Sequence, residues 1–325
     1  MDMKKKTLSK PLKTIYVFSS STENQVPDES NVVLVNMAVF EKDGAVFLHE
    51  PSAQLKTLIN GWQKDGKCVL VSLGGEAEPI QDWHHFYGKE FSEAFEAFTK
   101  NLSTLQNEYG FDGFDLDVEG QSVLTMDDAK KFAEFGTRLR NKFPDAIIAL
   151  TVPADNALTP GAYWADFIGG MSAPHNLGWN VMTVIAHDKA EFDRIYDFVQ
   201  IMAYDSPSDK RGDHTQGSAV WLAHVYRDFS QTCTYEFNKR IPQSGADDYN
   251  NYPGISTSKL VLGVTADTAN QGYATPSEIG QVQTELETLT KPESLKLGGG
   301  MIWRADSDKR NQDHAVSTAL YALLK

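Results

Sequence analysis

Phe111-Asp-Gly-Phe-Asp-Leu-Asp-Val-Glu-Gly120, FDGFDLDVEG, places four carboxylates, Asp112, Asp115, Asp117 and Glu119, within one short stretch. Successive side chains of a strand point to opposite faces. Asp115, Asp117 and Glu119 therefore share one face, and Phe114, Leu116 and Val118 share the other. Asp112 falls on the apolar parity, so a structural part near the start of the strand is expected of it. Three acids along one buried face are costly: like charges a few ångströms apart do not all ionise, and at least one is expected to hold a proton near neutral pH. Core building alone gives no reason to accept several kcal/mol per unpaired buried charge. An all-oxygen calcium or magnesium site is one alternative, and a solvated edge strand is another. The lack of nearby His or Cys weakens the first, and the apolar opposite face weakens the second. The pattern points instead to catalytic carboxylates whose pKa values are separated for acid and base roles. No metal and no cofactor is expected.

Outward from this strand, other apolar runs recur at regular intervals. Thr14 to Phe18, Val32 to Phe40, Val69 to Leu73, Ala146 to Val152, Phe198 to Tyr204, Leu260 to Val264 and Gly300 to Trp303 read as strands. VVLV at Val32–Val35 is too apolar on both faces for an edge. Between the strands lie helical patterns. Leu55, Leu58, Ile59 and Trp62 keep helical spacing, as do Phe91, Phe95, Phe98, Leu102 and Leu105, and Phe132, Phe135, Leu139 and Phe143. Val220 to Phe229 also suits a helix. Thr275, Pro276 and Glu278 form a helix start, and Val316, Leu320 and Leu323 line a closing helix. Gly161 to Ile168 and Lys189 to Tyr196 are expected as short helices, and Gln231 to Ser258 as loop. Eight strands separated by helices, without a repeat or low-complexity linker, predict one (β/α)8 TIM barrel over residues 14–325, behind a mobile leader over residues 1–13. A doubly wound open sheet is the alternative. The barrel places function at the C-terminal ends of its strands, where Glu119, Tyr204, Asp205 and Trp303 fall.

The acidic strand resembles the DxxDxDxE signature of glycoside hydrolase family 18, the chitinase and endo-N-acetylglucosaminidase family, with all four acids in place. Ser72, Gly74 and Gly75 resemble its SxGG motif. Met202, Tyr204 and Asp205, preceded by Gln200, resemble its MxYD motif, and Trp303 stands where the family keeps a tryptophan on the eighth strand. The resemblance implies a retaining, substrate-assisted hydrolase, one of the exceptions to the two-carboxylate rule. Glu119 would be the general acid. Asp117 would orient the sugar acetamido group, Asp115 would share a proton with Asp117, and Tyr204 would donate to the acetamido oxygen. Asp205, Gln200, Met202 and Gly75 would line the substrate, with Trp303 as its apolar floor. Within the family, deep tunnels come from an α+β module inserted between strands seven and eight. The short interval between Val264 and Gly300 leaves no room for one, which predicts an open cleft and endo action. The substrate expected is chitin or chitooligosaccharides. N-glycans cleaved by an endo-β-N-acetylglucosaminidase and a non-catalytic chitooligosaccharide-binding barrel are the alternatives, and Glu119 argues against the last.

Other residues carry plainer readings. Trp83 either stacks on a distant sugar or covers the barrel rim. Ser72 has no adjacent His to make it a nucleophile, so it is expected to hydrogen-bond the acids. His84 and His85 read as a solvated loop. Trp62 and Trp221 read as core. The net charge of −14 argues against nucleic acid and anionic membrane as partners. No run approaches the roughly 20 apolar residues of a membrane span. Two cysteines make no disulfide framework. The basic start lacks an apolar segment and does not read as a signal peptide. Export by another route, a start trimmed of its leader, and a cytoplasmic location are the expectations left open, and membership of a larger secreted assembly is a separate one.

Overall fold

Valine, isoleucine and leucine crowd both faces of the strands, as a parallel sheet covered on both sides requires. The computed structural model describes residues 6–75, 83–86, 92–119, 126–154, 182, 184–205, 210–211, 214–234 and 251–324. Its main sheet contains eight parallel strands: Leu12–Phe18, Val32–Phe40, Cys68–Gly74, Gly113–Asp117, Ile147–Pro153, Phe198–Met202, Leu260–Thr265 and Gly299–Trp303. They pair in chain order, and the first pairs with both the second and the eighth, closing a barrel. The helices lie outside. The predicted (β/α)8 fold is the observed one.

Side-chain parity divides the apolar residues into two cores. Leu12, Tyr16, Leu34, Leu70, Ile147, Phe198, Val261 and Met301 fill the barrel. Ile15, Val33, Val71, Ile148 and Val264 face outward and pack with helix residues such as Trp62, Phe98, Phe132, Leu222 and Leu286. Phe114, Leu116 and Val118 belong to this outer core. The acids between them are thereby turned inward.

Local chemistry fixes the helices. Ser92–Tyr109 buries Phe95, Phe98, Leu102 and Leu105 on one stripe. The Thr275 hydroxyl accepts the Glu278 N–H ahead of Pro276–Leu289, with proline in the first turn. This is the one helix in the interval between the seventh and eighth strands.

Several boundaries differ from expectation. The leader does not run to Lys13: Leu12 is buried and pairs with Gly299. Ahead of it, the Lys6 ammonium donates to the Lys67 carbonyl at 2.6 Å and to Asp112 at 3.2 Å. Val46–Leu48 forms an additional antiparallel strand on the second barrel strand. Cys233–Thr234 pairs with Asn251–Tyr252 inside the stretch expected as loop. Ala305–Gln312 is a helix with no apolar stripe to announce it. The helix expected over Gly161 to Ile168 lies outside the described residues.

Candidate active site

The fourth strand carries Asp115 and Asp117 on its inward parity, and Asp115 is fully buried. Register brings Ser72 beside Asp115, and Thr151 beside Asp117. Asp115 Oδ2 accepts hydrogen bonds from the Tyr16 and Ser72 hydroxyls, each at 2.7 Å, and Oδ1 accepts one from Thr151 at 2.8 Å. Gln200 sits behind them. Its Oε1 accepts from the Thr14 hydroxyl at 2.5 Å, which fixes the orientation of the amide. Its Nε2 donates to Tyr16 at 3.2 Å and to Thr151 at 2.8 Å. With their oxygens accepting from Gln200, both hydroxyls direct their protons to Asp115. Burial nevertheless dominates and raises the Asp115 pKa, and the hydrogen bonds from Tyr16, Ser72, Thr151 and Gln200 pull in the opposite direction.

Above this layer opens a cavity of about 360 Å³ at the C-terminal ends of the strands. Asp117, Glu119, Tyr204 and Asp205 line it, together with Gly75, Met202 and Trp303. A Cβ placed on Gly75 would stand 3.4 Å from Asp117 Oδ2 and 3.8 Å from Glu119 Oε1, so both carboxyls converge over that glycine. Gly74 is required for its own reason. Its φ is +105°, and a Cβ there would lie 2.1 Å from the Asp117 carbonyl oxygen. The Gly75 N–H donates to that same carbonyl at 3.0 Å. The SxGG turn thus seats the third strand directly against the end of the fourth. Burial raises the Tyr204 hydroxyl pKa well above 10.0, with further contributions from Asp117, Glu119, Asp205 and Asp115. Tyr204 stays protonated as a neutral donor surrounded by acids. Trp303 is half-buried and meets Tyr16 edge-on at 5.2 Å between ring centroids, leaving part of its ring to the cavity.

Not every expected site residue reaches the cavity. Gln200 is buried and hydrogen-bonded beneath it, so its part is to orient the hydroxyls around Asp115 instead of touching substrate. Trp83 is fully buried. Its ring packs against Phe40 at 4.6 Å and Phe135 at 5.6 Å, which excludes stacking on a sugar. Asp112 takes the structural part expected of it: it accepts from the Val69 N–H at 2.8 Å and from Gln63 at 3.2 Å, at the opposite end of the strand. Sequence reasoning missed Tyr16, Thr14 and Thr151 below the cavity, and Phe18, Asn36, Met37, Pro153 and Asn270 around it. Among the described residues no group of three or more His, Cys, Asp or Glu is placed to hold a metal ion.

Comparison with known proteins follows the same lines. The sequence matches the Glycosyl hydrolases family 18 over residues 13–294. It is 25% identical over 257 residues to Exochitinase 1 of Streptomyces olivaceoviridis, covering 74% of this chain and 39% of that protein. It is 25% identical over 251 residues to a chitinase of Enterococcus faecalis, covering 75% of this chain and 60% of that one. The chain therefore spans less than two thirds of the length of either relative. A family GH18 chitinase from Chromobacterium violaceum superimposes with a TM-score of 0.69 at 20% identity, over 98% of this chain and 85% of the other.

Proposed function

The chain belongs to glycosyl hydrolase family 18, and from that premise we propose that it hydrolyses β-1,4-linked N-acetylglucosamine polymers or oligomers with retention of configuration. The observation that carries this reading is the gathering of Glu119, Asp117 and Tyr204 in one cavity beside Trp303. The chitinase names of the relatives support the choice of substrate.

In the proposed reaction the sugar ring lies on Trp303. Glu119 donates its proton to the glycosidic oxygen as that bond breaks. The acetamido oxygen of the same sugar attacks the anomeric carbon and closes an oxazolinium ring. Asp117 accepts from the acetamido N–H, and Tyr204 donates to the acetamido oxygen. Asp115, at the centre of its hydroxyl cage, shares a proton with Asp117. Water then attacks the anomeric carbon from the face the leaving group vacated, giving its proton to Glu119 and restoring the acid. Two inversions at one carbon leave the configuration unchanged. A single helix between the seventh and eighth strands supports an open cleft and attack within chains.

Hydrolysis of fluorogenic chitobiose and chitotriose, run beside a high-mannose glycopeptide, tests the reading. Turnover of the chitooligosaccharides with the β-anomer released first is expected. Glycan release alone would reassign the enzyme to N-glycans. Binding without turnover would reduce it to a sugar-binding barrel.

A further inference from the structure

On the cavity wall, Asp205 follows Tyr204 with φ +47°, a left-handed conformation that Asp adopts more readily than most residues. Its backbone N–H donates to the Gln271 carbonyl at 2.8 Å. Its side-chain Oδ2 accepts from Asn270 Nδ2 at 2.6 Å. Asn270 is itself held: its Oδ1 accepts from the Thr265 hydroxyl at 3.0 Å, and its backbone N–H donates to the Asp267 carbonyl at 3.1 Å. The Thr265 hydroxyl also accepts from the Asp267 N–H at 3.1 Å, so its own proton points to Asn270. This sets the amide so that nitrogen faces Asp205. Nδ2 carries two hydrogens, and among the described residues only Asp205 accepts one. Asn270 lines the cavity together with Asp205 and Tyr204.

We infer that Asn270 is a positioning residue: oriented by Thr265, it fixes the Asp205 carboxylate and offers its second N–H to an oxygen of the bound amino sugar. The inference rests on the hydrolase reading above. A charge-assisted hydrogen bond holds Asp205 in one rotamer before substrate arrives, so sugar binding does not have to order it. The donor side of Asn270 selects for a sugar oxygen, while Asp205 selects for a hydroxyl or an amide N–H. The pair would set which face of the sugar is gripped, and it would act mainly on affinity.

The test compares chitotriose hydrolysis by the intact chain and its Asn270→Ala, Asn270→Asp, Thr265→Val and Thr265→Ser variants. Calorimetric binding of chitotriose is measured in the Glu119→Gln background. Asn270→Ala is expected to lower kcat/KM about tenfold or more, chiefly through KM, and to weaken binding by a similar factor. Asn270→Asp keeps the shape and the contact with Thr265 but removes the donor, so it should lose at least as much. Thr265→Val should lose part of the affinity, and Thr265→Ser should restore it. An unchanged KM and unchanged binding in folded Asn270→Ala overturn the inference, as does full affinity in Asn270→Asp. A wild-type chain that binds chitotriose without cleaving it defeats the hydrolase reading, and the binding comparison then decides the role of Asn270. A chain that neither binds nor cleaves it defeats both.

Discussion

Glu119 and Asp115 are four residues apart and meet opposite environments. Glu119 opens onto the cavity, whereas Asp115 is sealed among hydroxyls. Replacing Glu119 by Gln removes the transferable proton and keeps the shape. Turnover should fall roughly 10²- to 10⁴-fold with oligosaccharide affinity retained, which steady-state rates and calorimetry would check. Tyr16→Phe deletes one donor to Asp115 and makes no contact with the sugar in the proposed pose. It should raise the Asp115 pKa further and lower kcat about tenfold with little change in KM, read from the pH profile and the kinetic split. The four acids were legible because no ordinary core explains them. Tyr16, Thr14 and Thr151 were not, because a Tyr or Thr inside an apolar strand reads as packing. Tyr16 lies 99 residues from Asp115 in the chain, so only the closed barrel joins them. Gln200 was legible as a motif residue but not by depth: strand parity says inward, and only the register says how far below the opening it sits.

At the scale of elements, most barrel strands were readable as short apolar runs, and the fourth by its alternation of acids with Phe114, Leu116 and Val118. The missed elements lack that signal. Ala305–Gln312 is held by the Asp306–Arg310 pair at 2.9 Å and by buried Asp308, which accepts from the Val316 and Ser317 N–H groups of the next helix. The first is a local i,i+4 pair and the second a tertiary contact, and neither leaves an apolar period to read. Trp83 had two readings, a sugar platform or a cover for the barrel rim, and only tertiary contacts decide between them: the aromatic cluster of Phe40, Phe98, Phe132 and Phe135 claims it and rules out the platform. The Gly-Gly turn itself can be tested. Gly74→Ala combines an unfavourable φ with a carbonyl clash, and it should cost roughly 2 kcal/mol or more and displace Asp117. Denaturant unfolding would measure the first effect, and a loss of kcat in the folded fraction would report the second.

Across the whole molecule, burial raises the pKa of Tyr16, Tyr196, Tyr204, Tyr226, Tyr252 and Tyr321 above the ordinary 10.0. Above pH 10 the unfolded chain releases these phenolic protons while the native chain keeps them. The native state then binds more protons, so stability falls as pH rises, and it is fully present below that value. Melting temperature followed from pH 8 to 12 should decline steeply past 10, and substituting Phe for Tyr196 should soften the decline.

The eighth strand, Gly299–Trp303, lies beyond residue 294, where the family match stops. It is also the seam of the cylinder, stitched to Leu12–Ile15 on one side and to Leu262–Thr265 on the other. Trimming the gene to the matched interval would unzip both borders and discard the Trp303 platform with them. Two bare strand flanks would then invite other copies. Such a shortened chain should emerge as aggregates in light scattering, whatever its remaining carboxylates are capable of.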